Sequence, residues 1–336
     1  MSASVAPFIP ADVTAAIVTY GARRDLLLAV LTRLHEEGVG GAAVIDNGAH
    51  WPVAATLAQQ FGDWAQVVVM NANTGSSQGF ATAFDAAVQA GRPLIWVLDD
   101  DNRPHQGCLT MLLMAHRQEA ARTPVDLLAV VAARAEHATG NVSDQQLLTR
   151  WDSFGGFHVA DLVGKIMRRV TSQQAVEVAR NRYVGVTHFG GMLFHRSLVD
   201  RFGLPNTDFF MYADDTEFTW RITAGGGRIM QVAGAVIEDL EPAAQQTAQL
   251  RNRFLAALLT DSDFRSHYAV RNLAYFESRF RRRNRATFIL NRWLYTAILR
   301  FYAHRADRLE AYHFICRSAA EGLAGRLGPD ARFPLQ

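Results

Sequence analysis

With 336 residues, of which 49% are hydrophobic, the chain can bury the core of one large domain or of one domain with an appendage. It shows no signal-peptide pattern at its start and no uninterrupted apolar run near the ~18 residues of a membrane-spanning helix, and its two cysteines, Cys108 and Cys316, suit free thiols in a reducing compartment. We therefore expect a cytoplasmic protein.

The formal net charge of +2 is spread unevenly along the chain. Residues 264–336 contain 14 arginines and 5 acidic residues, a balance of +9 that leaves −7 for residues 1–263. Such an asymmetry suggests that a basic C-terminal region meets something anionic.

Apolar and amphipathic segments alternate through the first hundred residues. Four strands are predicted in VTAAIVTY, GAAVIDNG, AQVVVMNANTG and PLIWVLDDD, and three helices between them in RRDLLLAVLTRLHEEG, WPVAATLAQQF and SQGFATAFDAAVQAG. This order indicates an α/β fold with a mainly parallel sheet that helices cover on both faces.

Polar residues stand at the carboxyl ends of all four predicted strands. In chain order they are Thr19 and Tyr20, Asp46 and Asn47, residues 71–75, and Asp99, Asp100 and Asp101. Ligands bind parallel sheets at these ends, so the coincidence predicts a nucleotide site. In an extended Asp-X-Asp the first and third side chains point the same way, so Asp99 and Asp101 can share one metal ion. Mg²⁺ or Mn²⁺ there would neutralise a diphosphate leaving group, whereas the structural alternative is a solvated acidic loop.

After residue 104 the order of elements is less distinct. The predicted elements are a helix in HQGCLTMLLMAHRQEA, a strand in DLLAVVAA, a strand and a helix in VTHFGGMLFHRSLVDRFG, a helix beginning near Asp214, and a strand in RIMQVAGAVIEDLEP. Capping of that helix start is a structural explanation for Asp214, and the i, i+4 spacing of Glu217 and Arg221 predicts a surface ion pair. One carboxylate of the cluster remains available as a general base.

The order and spacing of these motifs resemble the inverting GT-A glycosyltransferases of glycosyltransferase family 2, particularly the bacterial rhamnosyl- and galactofuranosyltransferase branch. The similar segments, within residues 13–275, are AAIVTYGARRDLLLAVLTRL, AVIDNGA, NANTGSSQGFATAFDAAVQAG, WVLDDDNRP, HFGGMLFHRSLVDRFGLPNTDFFMYADDTEFTWR and, weakly, YAVRNLAYF. The resemblance implies a GT-A fold, in which helices flank a mixed, mainly parallel sheet, with a C-terminal helical appendage. The implied domains are a catalytic domain over residues 1–245, with a nucleotide-binding half (1–103) and an acceptor-binding half (104–245), and basic amphipathic helices over residues 246–336.

The resemblance also implies roles for individual residues. Those that would contact the substrates are Thr19, Tyr20, Asp46, Asn73, Gly75, Asp99, Asp100, Gly190, Gly191 and Asp214. Asp99 and Asp101 match the family's Asp-X-Asp ligands of Mn²⁺ or Mg²⁺, and Asp215 matches its catalytic base. Many members place a metal-binding histidine after the base. This chain has Glu238 followed by Asp239 there, and Glu238 is predicted to take the place of the histidine, with Asp239 as the alternative.

Trp151 and His188 are the remaining candidates for substrate binding. Trp151 lies in an aromatic, glycine-rich stretch with Phe154 and Phe157, which suits either stacking on an acceptor sugar or ordinary packing. His188 precedes the glycine pair and fits either an acceptor contact or a core histidine with satisfied hydrogen bonds.

The arginine-rich C-terminal region keeps apolar residues near helical spacing, among them Phe288, Leu294 and Phe301. A basic amphipathic helix with Trp and Tyr suits peripheral contact with the cytoplasmic face of an anionic inner membrane. The alternative is a helical appendage packed on the catalytic domain or on a second copy in a homo-oligomer. The sequence has no recognisable nucleic-acid-binding motif, so no nucleic-acid partner is expected.

The sequence therefore favours an inverting glycosyltransferase whose partners are a UDP- or dTDP-linked sugar and a glycan or lipid-linked acceptor in surface polysaccharide synthesis. Galactofuranose or rhamnose is the sugar that the resemblance implies. Two other hypotheses stay open. A sugar-1-phosphate nucleotidyltransferase would need a glycine-rich basic loop after the first strand, for which TYGARRD is a poor match. A non-catalytic sugar-nucleotide-binding scaffold is disfavoured by the intact acids of both clusters.

Overall fold

The computed structural model describes residues 7–134, 150–161, 181–241, 252–260 and 262–335. The chain forms two compact units. The first consists of Met1–Asn141, Ala179–Thr207 and Asp214–Glu241, and the second of Val142–Val178, Asp208–Ala213 and Pro242–Gln336.

The first unit is built on one mixed sheet. Its strands in the described residues are β1 (Val13–Gly21), β2 (Gly41–Ala49), β3 (Ala65–Val69), β4 (Leu94–Asp99), β5 (Asn102–Pro104), β6 (Leu128–Arg134), β7 (Arg182–Val184), β8 (Met192–His195) and β9 (Arg228–Asp239). Their order is β3-β2-β1-β4-β8-β6-β9-β5, with β7 paired to β9. The four strands β3, β2, β1 and β4 are parallel, as are β6 and β9, whereas β8 runs antiparallel between β4 and β6. The predicted fold class is therefore confirmed.

Six helices accompany this sheet in the described residues. They are α1 (Arg24–Glu36), α2 (Val53–Phe61), α3 (Ser76–Gln89), α4 (Cys108–Ala120), α5 (Ser197–Phe202) and α6 (Asp214–Ala224). The start of α6 at Asp214 confirms the helix start predicted there.

Burial on both faces explains why the central strands are apolar without interruption. Along β1, Ala15 and Ile17 belong to one buried cluster, whereas Ala16 and Val18 belong to another. Successive side chains of a strand point to opposite faces, so a strand covered on both sides needs an apolar residue at every position. Polar residues can therefore enter such strands only at their ends, which is where the candidate site lies.

The second unit is helical in its C-terminal part. Its helices in the described residues are α7 (Arg253–Leu258), α8 (Asp263–Phe280), α9 (Arg285–Arg305) and α10 (Leu309–Leu323). The core that they share includes Phe154, Phe157, Leu299 and Ile315, all buried. The predicted C-terminal helices are thus confirmed. None of the helices in the described ranges combines the length and the apolarity that a membrane span requires.

Candidate active site

The ends of three neighbouring strands bring predicted site residues together. Thr19 of β1 is the backbone partner of Asp46 in β2, and the preceding Val18 is the partner of Asp99 in β4. Tyr20 follows Thr19 and leaves the sheet with 43% of its surface exposed. The carboxyl edge of the sheet therefore carries Thr19, Tyr20, Asp46 and Asp99 side by side, as the sequence predicts.

A hydrogen-bonded loop lies next to this edge. Asn47 Oδ1 accepts from the Thr74 backbone N–H at 2.9 Å, and Asn47 Nδ2 donates to the Gly75 carbonyl at 3.1 Å. Asn73 Oδ1 accepts from the Gly75 N–H at 3.1 Å. Gly75 has a φ of +84°, a left-handed conformation that favours glycine, and it directly precedes α3. Asn47 thus holds Asn73 and Gly75 in place, a positioning role that the sequence analysis did not assign to it.

The middle aspartate of the acidic run points into the protein. Asp100 is 2% exposed and accepts hydrogen bonds from Thr19 Oγ1 and Arg23 Nε, both at 2.8 Å. Burial raises the pKa of Asp100 to about 7, against the opposing effect of Arg23 and Thr19. Arg23 Nη2 also donates to Asp101 Oδ2 at 2.8 Å. This position supports a positioning role for Asp100, beneath the residues that would contact a substrate.

The two outer aspartates of the run lie with a third carboxylate, that of Asp239. Asn102 Nδ2 donates to Asp101 Oδ1 at 3.0 Å and to Asp239 Oδ1 at 2.8 Å. Arg134 lies between Asp99 and Asp239. Its Nη2 is 3.5 Å from Asp99 Oδ2, and its Nη1 is 2.5 Å from Asp239 Oδ2. Burial and the neighbouring carboxylates raise the pKa of Asp99 to about 6, although Arg134 opposes the shift. The negative charge of this cluster therefore has to be balanced by cations.

Glu238, the predicted third metal ligand, has different neighbours. Its carboxylate contacts Arg103 Nη2 at 2.6 Å and lies 3.9 Å from His105 Nε2. Neighbouring residues of a strand point to opposite faces, so Asp239 and Glu238 cannot both point to the same cluster. The geometry favours Asp239, the alternative named from the sequence, as the carboxylate beside Asp99 and Asp101.

The donor set of this cluster suits Mg²⁺ or Mn²⁺, since both prefer carboxylate oxygens. In the described residues, the oxygens of Asp99, Asp101 and Asp239 are not gathered within 4.8 Å of one another. The guanidinium groups of Arg23 and Arg134 lie against them instead. A metal ion bound here would neutralise the carboxylates together with Arg23 and Arg134.

The predicted glycine pair lies against this cluster. A Cβ at Gly190 would stand 2.1 Å from Asn102 Oδ1 and 3.0 Å from Asp99 Oδ2, which is closer than a methyl group can approach. Gly191 has a φ of +86°. Gly190 is thus required for the close approach of backbone and acidic cluster, and its contact with a substrate stays a prediction.

Asp215, the predicted base, stands in the first turn of α6 and is paired with His188. Asp215 Oδ2 lies 3.1 Å from His188 Nδ1, and its Oδ1 accepts from the Thr216 N–H at 2.6 Å. Burial alone would raise the pKa of Asp215, but the hydrogen bonds from His188 and Thr216 lower it below its usual value. The interaction with Asp215 raises the pKa of His188. The His188 side chain is 57% exposed, so the alternative of a core histidine is wrong.

Asp214 differs from its neighbour although both begin the same helix. It is 4% exposed, and burial together with the negative charge of Asp215 raises its pKa. The pKa values of the two carboxyl groups therefore differ, with Asp215 ionised and Asp214 the more readily protonated. Further along α6, the predicted pair of Glu217 and Arg221 forms at 2.9 Å. Glu217 is buried, so the prediction of a surface pair is wrong.

Trp151 belongs to the second unit. The centroid of its ring lies 3.6 Å from the guanidinium carbon of Arg283 and 4.8 Å from that of Arg281. Its neighbours Phe154 and Phe157 are each 3% exposed, so ordinary packing explains those two aromatic residues. An acceptor contact by Trp151 stays a prediction.

Comparison with known proteins places these observations in a family. The model of the family described as glycosyltransferase like family 2 matches residues 10–256 of the chain. Galactofuranosyltransferase GlfT1 of Mycolicibacterium smegmatis is 27% identical over 160 residues, which are 46% of this chain and 46% of that protein. The match therefore spans about half the length of this curated relative.

Two solved structures resemble the fold. One is GalNAc-T7 with UDP, GalNAc and Mn²⁺, with a TM-score of 0.48, 10% identity, and coverage of 68% of this chain and 43% of that one. The other is S. aureus TarS residues 1–349, with a TM-score of 0.44, 11% identity, and coverage of 92% of this chain and 91% of that one.

Proposed function

Because the chain belongs to glycosyltransferase family 2, we propose that it is an inverting glycosyltransferase that moves a sugar from a nucleotide-sugar donor to an acceptor hydroxyl. The observation that carries this proposal is the meeting of three features at one edge of the first unit's sheet. They are the strand-end loop of Asn47 and Asn73, the carboxylates of Asp99, Asp101 and Asp239, and the base candidate Asp215.

The donor would lie along the ends of β1, β2 and β4. Tyr20 and Asp46 would contact the nucleoside, with Asn73 and Gly75 beside it. Thr19, a predicted contact, is fully buried and bound to Asp100, so it would support the site from inside the protein. The diphosphate would then approach Asp99 and Asp101, which Gly190 allows to lie close to the neighbouring backbone. The chain's partial likeness to a galactofuranosyltransferase supports UDP-galactofuranose over a rhamnose donor.

Mn²⁺ or Mg²⁺, held by Asp99, Asp101 and Asp239, would neutralise the charge that develops on the leaving diphosphate. Arg134 and Arg23 already contact these carboxylates. These guanidinium groups would also be available to the phosphates of the donor, because arginine matches the geometry of phosphate as well as that of carboxylate.

The reaction is a single in-line displacement. The acceptor oxygen forms a bond to the anomeric carbon as the bond from that carbon to the diphosphate oxygen breaks. Asp215 takes the acceptor's proton, and the nucleoside diphosphate leaves with the bonding electrons. His188 is a positioning residue, since its ring fixes one oxygen of Asp215 and leaves the carboxylate ionised.

Replacing His188 by glutamine should shift the acidic limb of the kcat/KM profile to higher pH. Asp215 acts as a base only above its pKa, and the hydrogen bond from His188 lowers that pKa. Without His188 the pKa of Asp215 rises, so activity is lost earlier as the pH falls. A profile that scales down without moving would contradict this role.

Replacing Asp239 by asparagine should raise the Mn²⁺ concentration needed for half-maximal activity by about 10- to 100-fold. The matched change Glu238→Gln should alter it by less than a factor of about three, because Glu238 pairs with Arg103 instead. Metal titration of nucleoside diphosphate release measures both. A larger effect of Glu238→Gln would restore Glu238 as the third ligand.

The acceptor that we propose is a glycan or lipid-linked oligosaccharide of bacterial surface polysaccharide synthesis. Exposed apolar residues on α9 support peripheral contact with the cytoplasmic face of an anionic membrane, since arginines flank them. They are Ile289, Leu290, Trp293 and Phe301, each 46–64% exposed. A second copy of the chain is the alternative occupant of that surface.

The test is nucleoside diphosphate release from UDP-galactofuranose, UDP-galactose, UDP-glucose and dTDP-rhamnose, with and without short glycan acceptors, in Mn²⁺, Mg²⁺ or EDTA. Release that one donor supports and that an acceptor stimulates would bear out the transferase and identify its sugar. Nucleotide binding without release from any donor would favour a non-catalytic scaffold. Formation of a nucleotide sugar from a sugar 1-phosphate and a nucleoside triphosphate would favour a nucleotidyltransferase.

A further inference from the structure

We propose that the second unit contains a divalent-cation site, best suited to Zn²⁺, formed by His267, Glu321 and Asp330. One ligand atom from each of these residues lies within 4.8 Å of the other two, and no other such group occurs in the described part of the chain. His267 comes from α8, Glu321 from α10 and Asp330 from the segment that follows α10. A bound cation would therefore join three separate stretches of one unit.

The side chain of His267 is held as a metal ligand would be. It is 1% exposed, its ring is stacked on Phe333 at 4.5 Å, and its Nδ1 lies 3.0 Å from Ser318 Oγ. With the proton on Nδ1, a hydrogen bond to this hydroxyl would fix the ring and leave the lone pair on Nε2. Metal-binding histidines are oriented by such a partner on the other ring nitrogen.

The other ring nitrogen lacks a partner. Buried Nε2 of His267 makes no hydrogen bond to the described residues, yet it lies 3.4 Å from Asp330 Oδ2 and 3.9 Å from Glu321 Oε2. A lone pair aimed at two carboxylates is repelled by them unless a cation lies between.

An arginine occupies part of the position that the cation would take. Arg332 Nη2 lies 2.5 Å from Asp330 Oδ2 and 2.9 Å from Glu321 Oε1. Its guanidinium balances the two carboxylates but makes no hydrogen bond to His267 Nε2. The Arg332 side chain is 59% exposed, so it can move into solvent when a metal ion takes its place.

The donor set selects the ion. One imidazole nitrogen and two carboxylate oxygens form a three-ligand set of the kind that binds Zn²⁺ with one position open. A cavity of about 350 Å³ adjoins the carboxylates, and Arg271, Arg326 and Pro329 help to line it. A water molecule or a small anion could complete the coordination from that side.

The test uses the full-length chain carrying Asp99→Asn and Asp101→Asn, which removes metal binding at the proposed donor site. Co²⁺ serves as the spectroscopic probe and Zn²⁺ as its competitor. We expect about one equivalent of Co²⁺ to bind with visible d–d absorption, Zn²⁺ to displace it, and Zn²⁺ to raise Tm by a few degrees. These readouts do not depend on sugar transfer, so they test the cation site independently of the proposed function.

Four variants in this background locate the site. His267→Gln and Asp330→Asn should each weaken Co²⁺ binding at least 10-fold, whereas Glu310→Gln, an exposed change on the same helix as Glu321, should not. Arg332→Ala should tighten binding, because it removes the competing cation. Far-UV CD without metal identifies variants that fail to fold. If His267→Gln does not fold, Asp330→Asn tests the site in its place, because Asp330 lies outside the helices. Absent Co²⁺ binding, or binding that Asp330→Asn leaves unchanged or Arg332→Ala weakens, would overturn the proposal.

Discussion

Replacing Asp215 by asparagine should lower kcat for sugar transfer about 10³-fold, or about 4 kcal/mol of barrier, with little change in donor affinity. The amide keeps the size of the carboxylate and can still accept the hydrogen bond from the Thr216 N–H. It cannot take a proton from the acceptor. The loss should therefore fall on the chemical step.

Steady-state transfer kinetics and titration of the nucleoside diphosphate measure the two effects separately. Asp200→Asn is the matched control, since Asp200 lies exposed on α5 and its replacement should leave both quantities unchanged. A drop in donor affinity as large as the drop in kcat would show that Asp215 holds the substrate or the fold instead of the proton.

Replacing Asp99 by asparagine should lower kcat/KM by about 100-fold or more and weaken the dependence on Mn²⁺. Asp99 would be a direct metal ligand, and it lies beside Arg134 and the backbone of Gly190. Its loss removes a ligand and also removes one of the carboxylates that balance the charge of Arg134. Donor binding and catalysis should therefore fall together, unlike the pattern expected for Asp215.

Nucleoside diphosphate binding at increasing Mn²⁺ concentration distinguishes this role from simple destabilisation. Asp85→Asn, an exposed change on α3, should bind nucleotide and metal like the wild type. If Asp99→Asn folds normally and keeps the wild-type response to Mn²⁺, Asp99 is not a ligand of the metal ion.

The sheet and its functional edge could be predicted because local patterns determine them. The run from Leu94 to Leu98 is buried at every position, so it is apolar without interruption, and the polar residues that follow are conspicuous. The helix that begins at Asp214 is likewise marked by its own acidic first turn. These features depend on residues close together in sequence.

The choice between Glu238 and Asp239 could not be made from the sequence. The pairing of β6 with β9 shifts register between Ala132 and Ala133, where the partner jumps from Val232 to Val236. Beyond such an irregularity the alternation of side chains cannot be counted from the start of the strand. The face of the sheet toward which each carboxylate points is therefore determined by tertiary structure.

The arginines of the site were missed for a related reason. Arg134 directly follows a predicted strand and Arg23 begins a predicted helix, and neither position is unusual for a charged residue. Their contacts with Asp99, Asp101 and Asp239 join residues that are 35 to 105 positions apart, so no short motif contains them. Only the fold brings these charges together.

The anomeric configuration of the first-formed product tests the central claim, that Asp215 serves as the base of a single displacement at this edge of the sheet. NMR of the product from the active donor, recorded before mutarotation or further transfer, gives that configuration. We expect inversion relative to the donor, with no product from Asp215→Asn on the same timescale. Retention of configuration, or a product formed equally well by Asp215→Asn, would contradict the mechanism.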